Sequence, residues 1–152
     1  KYNSIASIEM IEAVGERHLD KYFSTIKNNL KPNGVGAIQA IIIKDELFNR
    51  YRKNQDFIQK YIFPGGFLPS LQSIKDYSKK TGLILKGYNS YGHHYSHTLS
   101  KWRENFTGSW NNIAQQGFDS SFKKIWDFYF SYCEAGFRAK NIDLIQFSVK
   151  NK

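Results

Sequence analysis

The sequence predicts an α/β fold: a parallel sheet with helices on both faces. Two observations carry this. The first is the run Gly34-Val-Gly-Ala-Ile-Gln-Ala-Ile-Ile-Ile43, which is almost wholly apolar and rich in β-branched residues. A strand wet on one face alternates polar and apolar residues, so an unbroken apolar run reads as a strand buried on both sides. The second is the strand, helix, strand rhythm leading into it, which makes a right-handed βαβ unit. Its 152 residues suit one domain with a real core.

In chain order, Tyr2–Ile8 reads as a short strand with Ile5 as its core anchor. Two carboxylates, Glu9 and Glu12, follow immediately. Glu16–Leu30 has helical spacing, with Leu19, Tyr22, Phe23, Ile26 and Leu30 on one stripe, and Asn33-Gly34 stops it. After the central strand, Lys44–Lys60 predicts one or two helical segments, running on through Phe57, Ile58 and Tyr61. Pro64, Gly65, Gly66 and Pro69 constrain the loop 62–70, and Ser70 is placed to cap a helix over 71–79. Leu83-Ile-Leu85 is a third strand, and Gly87–Tyr95 a loop carrying His93 and His94. Helical spacing resumes at Ser96, with Leu99, Trp102, Phe106 and Trp110. Asp119 caps a last helix bearing Phe122, Trp126, Tyr129, Phe130, Cys133 and Phe137. Ile142–Val149 closes the chain as a strand, with Asp143 near its start. No repeat is present.

The formal charge of +9 favours an anionic partner, yet the basic residues are spread along the chain. Nucleic-acid binding, which clusters them on one element, is not expected. A single cysteine, Cys133, excludes an internal disulfide and a cysteine-based metal cluster, and it sits on an aromatic stripe as a core residue would. His93, His94 and His97 have no further partner at ligand spacing, so no metal is expected. No apolar stretch is long enough to span a membrane, so any membrane contact is peripheral. The sole methionine is Met10 and a strand begins at residue 2, so the chain is expected to be a piece of something longer.

Sites in open α/β sheets lie beyond the carboxyl ends of the strands. Gln39 and Ile41 share a face of the central strand near that end. Glu9 with Glu12, Gln39, and the Tyr91–Tyr95 loop are placed to converge there as carboxylate, amide and phenol. Such a set could hold a small oxyanion or orient a general base. The alternative is that Glu12 and Gln39 are hydrogen-bonded structural residues. No glycine-rich loop leaves the first strand, so the usual nucleotide signature is absent.

Several longer motifs make a family resemblance visible. Ser7-Ile-Glu-Met-Ile-Glu-Ala-Val-Gly15, Leu30-Lys-Pro-Asn-Gly34 and Tyr61-Ile-Phe-Pro-Gly-Gly-Phe-Leu-Pro-Ser70 are three of them. Tyr91-Gly-His-His-Tyr95 leading to Thr98-Leu-Ser-Lys-Trp102, and Gly136-Phe-Arg138, complete the set. Together they resemble the cyclopropane-fatty-acyl-phospholipid synthases, which include the mycolic acid cyclopropane synthases. The resemblance runs from end to end, but over only the C-terminal part of that family's catalytic domain. It implies a class I S-adenosylmethionine-dependent methyltransferase (Rossmann-like) fold. Residues 2–8, 35–43 and 83–88 would be its fourth, fifth and sixth strands, and 142–149 its antiparallel seventh. Residues 1–152 would then be a partial catalytic domain, lacking the strands that carry the cofactor loop.

The implied chemistry is methylene transfer from S-adenosylmethionine to a cis double bond of a phospholipid acyl chain, with bicarbonate as the base. Glu12 matches the glutamate of the family's Glu-His-Val-Gly motif, which binds or orients the bicarbonate. Gln39 matches a position often held by histidine, Ile41 lies two residues on as in the family, and Tyr95 matches the tyrosine that contacts the anion. Ala13 and Gln39 are the departures, and Gln39 cannot carry charge or shuttle a proton. The family's anion-binding cysteine is not matched by Cys133, and no cofactor-binding residue is assigned within this stretch. Phe57, Tyr61, Phe67, Tyr88 and Tyr91 are expected to line the acyl tunnel or to be ordinary core. The implied partner is unsaturated phospholipid at an anionic surface, and the implied location the inner, cytoplasmic face of the membrane. Two alternatives stay open. One is a non-catalytic half-domain pairing with another chain or with itself through the edge beside Tyr2–Ile8. The other keeps the fold but performs plain methyl or hydroxyl-generating transfer.

Overall fold

A computed structural model describes residues 1–152. Its elements are β1 (Tyr2–Ile8), α1 (Ile11–Val14), α2 (Leu19–Asn29), β2 (Leu30–Ile43), α3 (Asp45–Tyr51), α4 (Phe57–Tyr61) and α5 (Leu71–Lys80), followed by β3 (Leu83–Ser90), α6 (Gly92–Gly108), α7 (Trp110–Ala114), α8 (Ser120–Arg138) and β4 (Ile142–Asn151). The strands form one sheet in the order β1-β2-β4-β3. β1 and β2 run parallel, and β4 is inserted antiparallel between β2 and β3. The carboxyl ends of β1, β2 and β3 therefore lie on one side, and β1 is an edge.

Strand periodicity divides the sheet's side chains between two cores. Ile38, Ala40 and Ile42 of β2 and Ile145, Phe147 and Val149 of β4 face α2 and α5, where Leu19, Phe23, Ile26 and Ile74 complete the main core. The stripe predicted on α2 is what does this. On the opposite face Ile41 and Leu144 pack with Leu99, Phe130 and Phe137, supplied by α6 and α8.

This second layer covers only the carboxyl-terminal end of β2 and the start of β4 beside it, which corrects the expectation of a central strand buried on both sides. Val35 is 39% exposed, and Ala37 is exposed as well. An open groove of about 600 Å³ lies over this face, lined in part by Ala6, Ile8, Ala37, Gln39, Tyr88 and Gln146. The apolarity of β2 therefore reports two half-covered faces rather than a strand sealed along its length.

Other departures have local causes. β2 begins at Leu30, ahead of the turn residues, because a register shift between Tyr2 and Ser4 absorbs Lys31, Pro32 and Asn33. Gly34 is required there, since a Cβ would sit 2.9 Å from Lys31 O and 3.0 Å from Asn3 O. The buried residue of β1 is Ser7, while Ile5 is only half-buried, because Ser7 bonds to Tyr22 from α2. α6 starts at Gly92 rather than Ser96, so His93, His94 and Tyr95 occupy its first turn and not a loop. Ser70 and Asp119 cap α5 and α8 as the sequence predicts, and Asp56 caps α4 with a reciprocal Gln59 bond.

Candidate active site

β1 ends in a sharp turn. Glu9 takes a left-handed backbone (φ 48°) and its N–H donates to Gln39 O at 3.0 Å, so the chain turns away beside Gln39 of β2 and enters α1. The fully buried Ile11 anchors this short helix in the main core. Glu12 is thereby turned inward. Its Oε1 accepts the backbone N–H of Ile41 at 2.5 Å, while Oε2 is buried with no hydrogen-bond partner. The constrained loop closes over it, with Phe67 N donating to Glu12 O at 2.8 Å. Gln59 Nε2 holds Gly66 O at 2.9 Å, and the Tyr51 hydroxyl accepts Leu68 N–H at 3.0 Å. Burial raises the Glu12 carboxyl above the ordinary glutamate range; the Ile41 N–H opposes this, and the nearby charge of Glu9 adds to it.

Glu9 is the point where the remaining polar groups meet. Gln39 Nε2 donates to Glu9 Oε1 at 2.8 Å, and the Tyr95 hydroxyl donates to Glu9 Oε2 at 3.4 Å. Gln146 on β4, the neighbour of Gln39 across the sheet, donates its own amide to Gln39 Oε1 at 2.8 Å. That bond fixes which way the Gln39 amide points, leaving its N–H₂ toward Glu9.

Tyr95 is delivered by the start of α6. Asp143 of β4 accepts the Gly92 N–H at 2.9 Å and the Ser90 hydroxyl at 2.5 Å, pinning the end of β3 to the first turn of the helix. The Tyr95 ring then lies edge-on to Phe137 (5.1 Å between centroids) and Trp102 (6.0 Å). Burial, then the charge of Glu9, raises its hydroxyl far above the usual tyrosine range, so Tyr95 is a proton donor in hydrogen bonds. Tyr129 beside it is pushed up to about 12, first by burial and then by Cys133 and Glu9. Burial likewise drives Cys133 to about 12, which leaves it a neutral thiol.

The three predicted elements thus meet, with Glu9 rather than Glu12 as the carboxylate between Gln39 and Tyr95. Gln39 and Tyr95 both bond Glu9, whereas Glu12 bonds the backbone of Ile41 and neither of those side chains. Gln146 was not visible as a site residue from sequence. It reads as one polar position on an alternating strand, and only the β2–β4 register places it opposite Gln39.

The five expected tunnel residues do not share one wall. Phe57 and Tyr61 pack at a tilt (5.3 Å between centroids), with Phe57 edge-on to Phe128 of α8 at 4.6 Å. Tyr91 packs on the second core, Tyr88 lies on the open groove, and Phe67 is buried in the main core against Phe48 and Tyr51. Arg138 pairs with Glu134 on its own helix at 2.8 Å.

Comparison with known proteins gives a consistent result. The family model for mycolic acid cyclopropane synthetase matches residues 1–147. Tuberculostearic acid methyltransferase UfaA1 of Mycobacterium tuberculosis is 43% identical over 150 residues, which are 98% of this chain and 35% of that protein. The cyclopropane-fatty-acyl-phospholipid synthase of Escherichia coli is 34% identical over 146 residues, covering 96% of this chain and 37% of its own length. Among solved structures, mycolic acid cyclopropane synthase CmaA1 complexed with SAH and CTAB superposes with a TM-score of 0.86 at 27% identity. That match covers 97% of this chain and 55% of CmaA1. The chain therefore spans about a third of the length of these curated relatives. Solved methyltransferases of lower identity share the same sheet and flanking helices, so the fold is the class I, Rossmann-like one.

Proposed function

The chain belongs to the mycolic acid cyclopropane synthetase family, and from that premise we propose that residues 1–152 are the C-terminal part of a longer catalytic domain. The whole protein would use S-adenosylmethionine to add a one-carbon unit to a cis double bond of a phospholipid acyl chain. The observation that carries this reading is the meeting of two carboxylates, Glu9 and Glu12, with a wall of electron-rich rings at the carboxyl ends of the strands. An alkene that takes up an alkyl group becomes cationic, and fixed negative charge in an apolar setting stabilises that charge as it develops.

When bound, S-adenosylmethionine supplies an electrophilic methyl carbon. No side chain of this chain is assigned to it. The open edge at β1 and the uncovered half of the sheet offer places for the rest of the domain to pack, consistent with a chain that covers 55% of CmaA1. A second copy of the chain is the alternative occupant of that edge; sedimentation of the full-length protein as a monomer would exclude it.

Bicarbonate, the base implied by the resemblance, does not fit the groups present. The Ile41 N–H is taken by Glu12, and one Gln39 N–H and the Tyr95 hydroxyl are engaged by Glu9. The acceptor left over, Glu12 Oε2, belongs to a carboxyl group, and an anion placed here would face both glutamates.

The lipid enters from a surface. No helix is long and apolar enough to cross a membrane, and the net charge of +9 favours peripheral contact with anionic headgroups on the cytoplasmic face. The test is incubation of the full-length protein with methyl-deuterated S-adenosylmethionine and vesicles of monounsaturated phosphatidylglycerol. Mass spectrometry of the lipid should show one added carbon bearing deuterium. A product that survives ozonolysis is a cyclopropane, and one that is cleaved at the new carbon is a methylene. Unchanged lipid would overturn the proposal.

A further inference from the structure

We propose that Glu9 is the base of this reaction, a carboxylate carried by the chain itself in the place where a free anion would otherwise act. The inference rests on the lipid-alkylation reading above and adds the residue that completes it.

The geometry behind it is specific. The two side chains expected to hold an anion, Gln39 and Tyr95, hold one already: Gln39 Nε2 lies 2.8 Å from Glu9 Oε1 and the Tyr95 hydroxyl 3.4 Å from Glu9 Oε2. Each carboxylate oxygen has its own donor, so the group is oriented as well as bound. The backbone is fixed as well, through the left-handed turn and the Glu9 N–H to Gln39 O bond. The order of bonds Gln146 to Gln39 to Glu9 makes the glutamine a donor to the carboxylate. A neutral amide donor suits this role. An imidazolium in its place would neutralise the charge and weaken the base, whereas an amide orients it without carrying charge.

Glu12 cannot serve instead. It is enclosed under the 62–70 loop, and its second oxygen is buried away from any surface a lipid could approach. Glu9 stays exposed just past the end of β1, alongside Gln39 of β2, where a substrate can reach it.

The step balances. The alkene π pair forms a C–C bond to the methyl carbon while the C–S bond breaks, its electrons going to sulfur and leaving a substrate carbocation. Glu9 then takes a proton from the added methyl group. The electrons of that C–H bond form the second C–C bond of a cyclopropane or, after a hydride shift to the cationic carbon, the double bond of a methylene. The protonated Glu9 returns its proton to solvent. Tyr95, Gln39 and Gln146 are positioning residues in this scheme.

The experiment compares the full-length protein with its Glu9→Gln and Glu9→Gly variants, in buffer stripped of carbon dioxide and in the same buffer with added bicarbonate. The wild type should turn over equally in both, within about twofold. Glu9→Gln should lose roughly 10²-fold or more in both, in the range of a lost general base. Glu9→Gly accepts the left-handed turn without strain, and it frees the Gln39 and Tyr95 donors. It should be slow without bicarbonate and recover at least about tenfold with it, a gain that a merely structural role for Glu9 would not produce. A wild type that slows on removal of bicarbonate and recovers on its return overturns the proposal while leaving lipid alkylation intact. Glu9→Gln at the wild-type rate does the same. A wild type that alkylates no lipid overturns both.

Discussion

The Tyr22 hydroxyl donates to Ser7 Oγ at 2.7 Å beneath the sheet, joining α2 to β1 two residues before Glu9. Both partners are buried, so the bond decides how firmly the edge strand sits on the core. Tyr22→Phe leaves the serine hydroxyl buried without this bond and should cost about 1–2 kcal/mol in urea unfolding of the full-length protein. The double variant with Ser7→Ala should recover part of that loss, giving a coupling of about 1 kcal/mol. Additive losses would show that the two groups do not depend on each other.

Glu12 gives a pH-dependent expectation. Burial raises its carboxyl in the folded state. A carboxyl raised this way contributes stability that is fully present below the unfolded glutamate value and lost as pH rises through the folded one. Glu12→Gln removes that loss and lets the side-chain oxygen still accept the Ile41 N–H. The variant should therefore unfold about 1 kcal/mol harder than wild type near about pH 7, with the gap closing toward about pH 3. Under the proposed reaction, lipid alkylation should nonetheless fall by about 10²-fold, since the buried charge of Glu12, which would stabilise the developing cation through the protein interior, is gone. A constant gap across pH would remove the buried charge as its cause.

Gly92 is the next pressure point. A Cβ there would fall against Asp143 Oδ1 and lie 3.2 Å from the Phe137 ring, in the contact that seats α6. Gly92→Ala should cost about 1–3 kcal/mol in chemical denaturation, the usual range for overpacking. It should also lower activity, because Tyr95 is three residues on in the same turn. Full stability in the alanine variant would mean that α6 can slide away from β4 without penalty.

Much of this arrangement is legible in the sequence, and the parts that are not have a common cause. The α2 stripe, the caps at Ser70 and Asp119, and the strand at Tyr2–Ile8 follow from local chemistry, and local chemistry is what a sequence displays. The start of α6 is misread because Gly92, His93 and His94 look like loop residues, and the acceptor that makes them helical, Asp143, lies 51 residues away. The coverage of β2 is misread because apolarity reports what a strand can bury and not how far α6 and α8 extend along it. The site shows the same limit. Gln39, Tyr95 and the two glutamates are visible as chemistry, but which glutamate meets Gln39 depends on the left-handed backbone at Glu9, and Gln146 depends on a register across 107 residues.

The unequal bonds to Glu9 predict a rank order among the residues that hold it. Gln39 is its close partner at 2.8 Å and is itself fixed by Gln146, whereas Tyr95 reaches it at 3.4 Å, beyond the usual range for a strong O–H to O bond. Gln39→Ala should therefore cut kcat further than Tyr95→Phe, by about 10²-fold against about tenfold. The Tyr95→Phe ring still packs against Phe137 and Trp102, so its fold should be intact and its thermal midpoint within a few degrees of wild type. Gln146→Ala frees the amide of Gln39 to flip and should fall between them, with kcat lowered more than KM is raised, as expected for a group that aims a base and does not touch lipid. Equal losses in all three variants, or a loss carried by KM alone, would mean that Gln39 and Tyr95 act on the substrate directly rather than through Glu9.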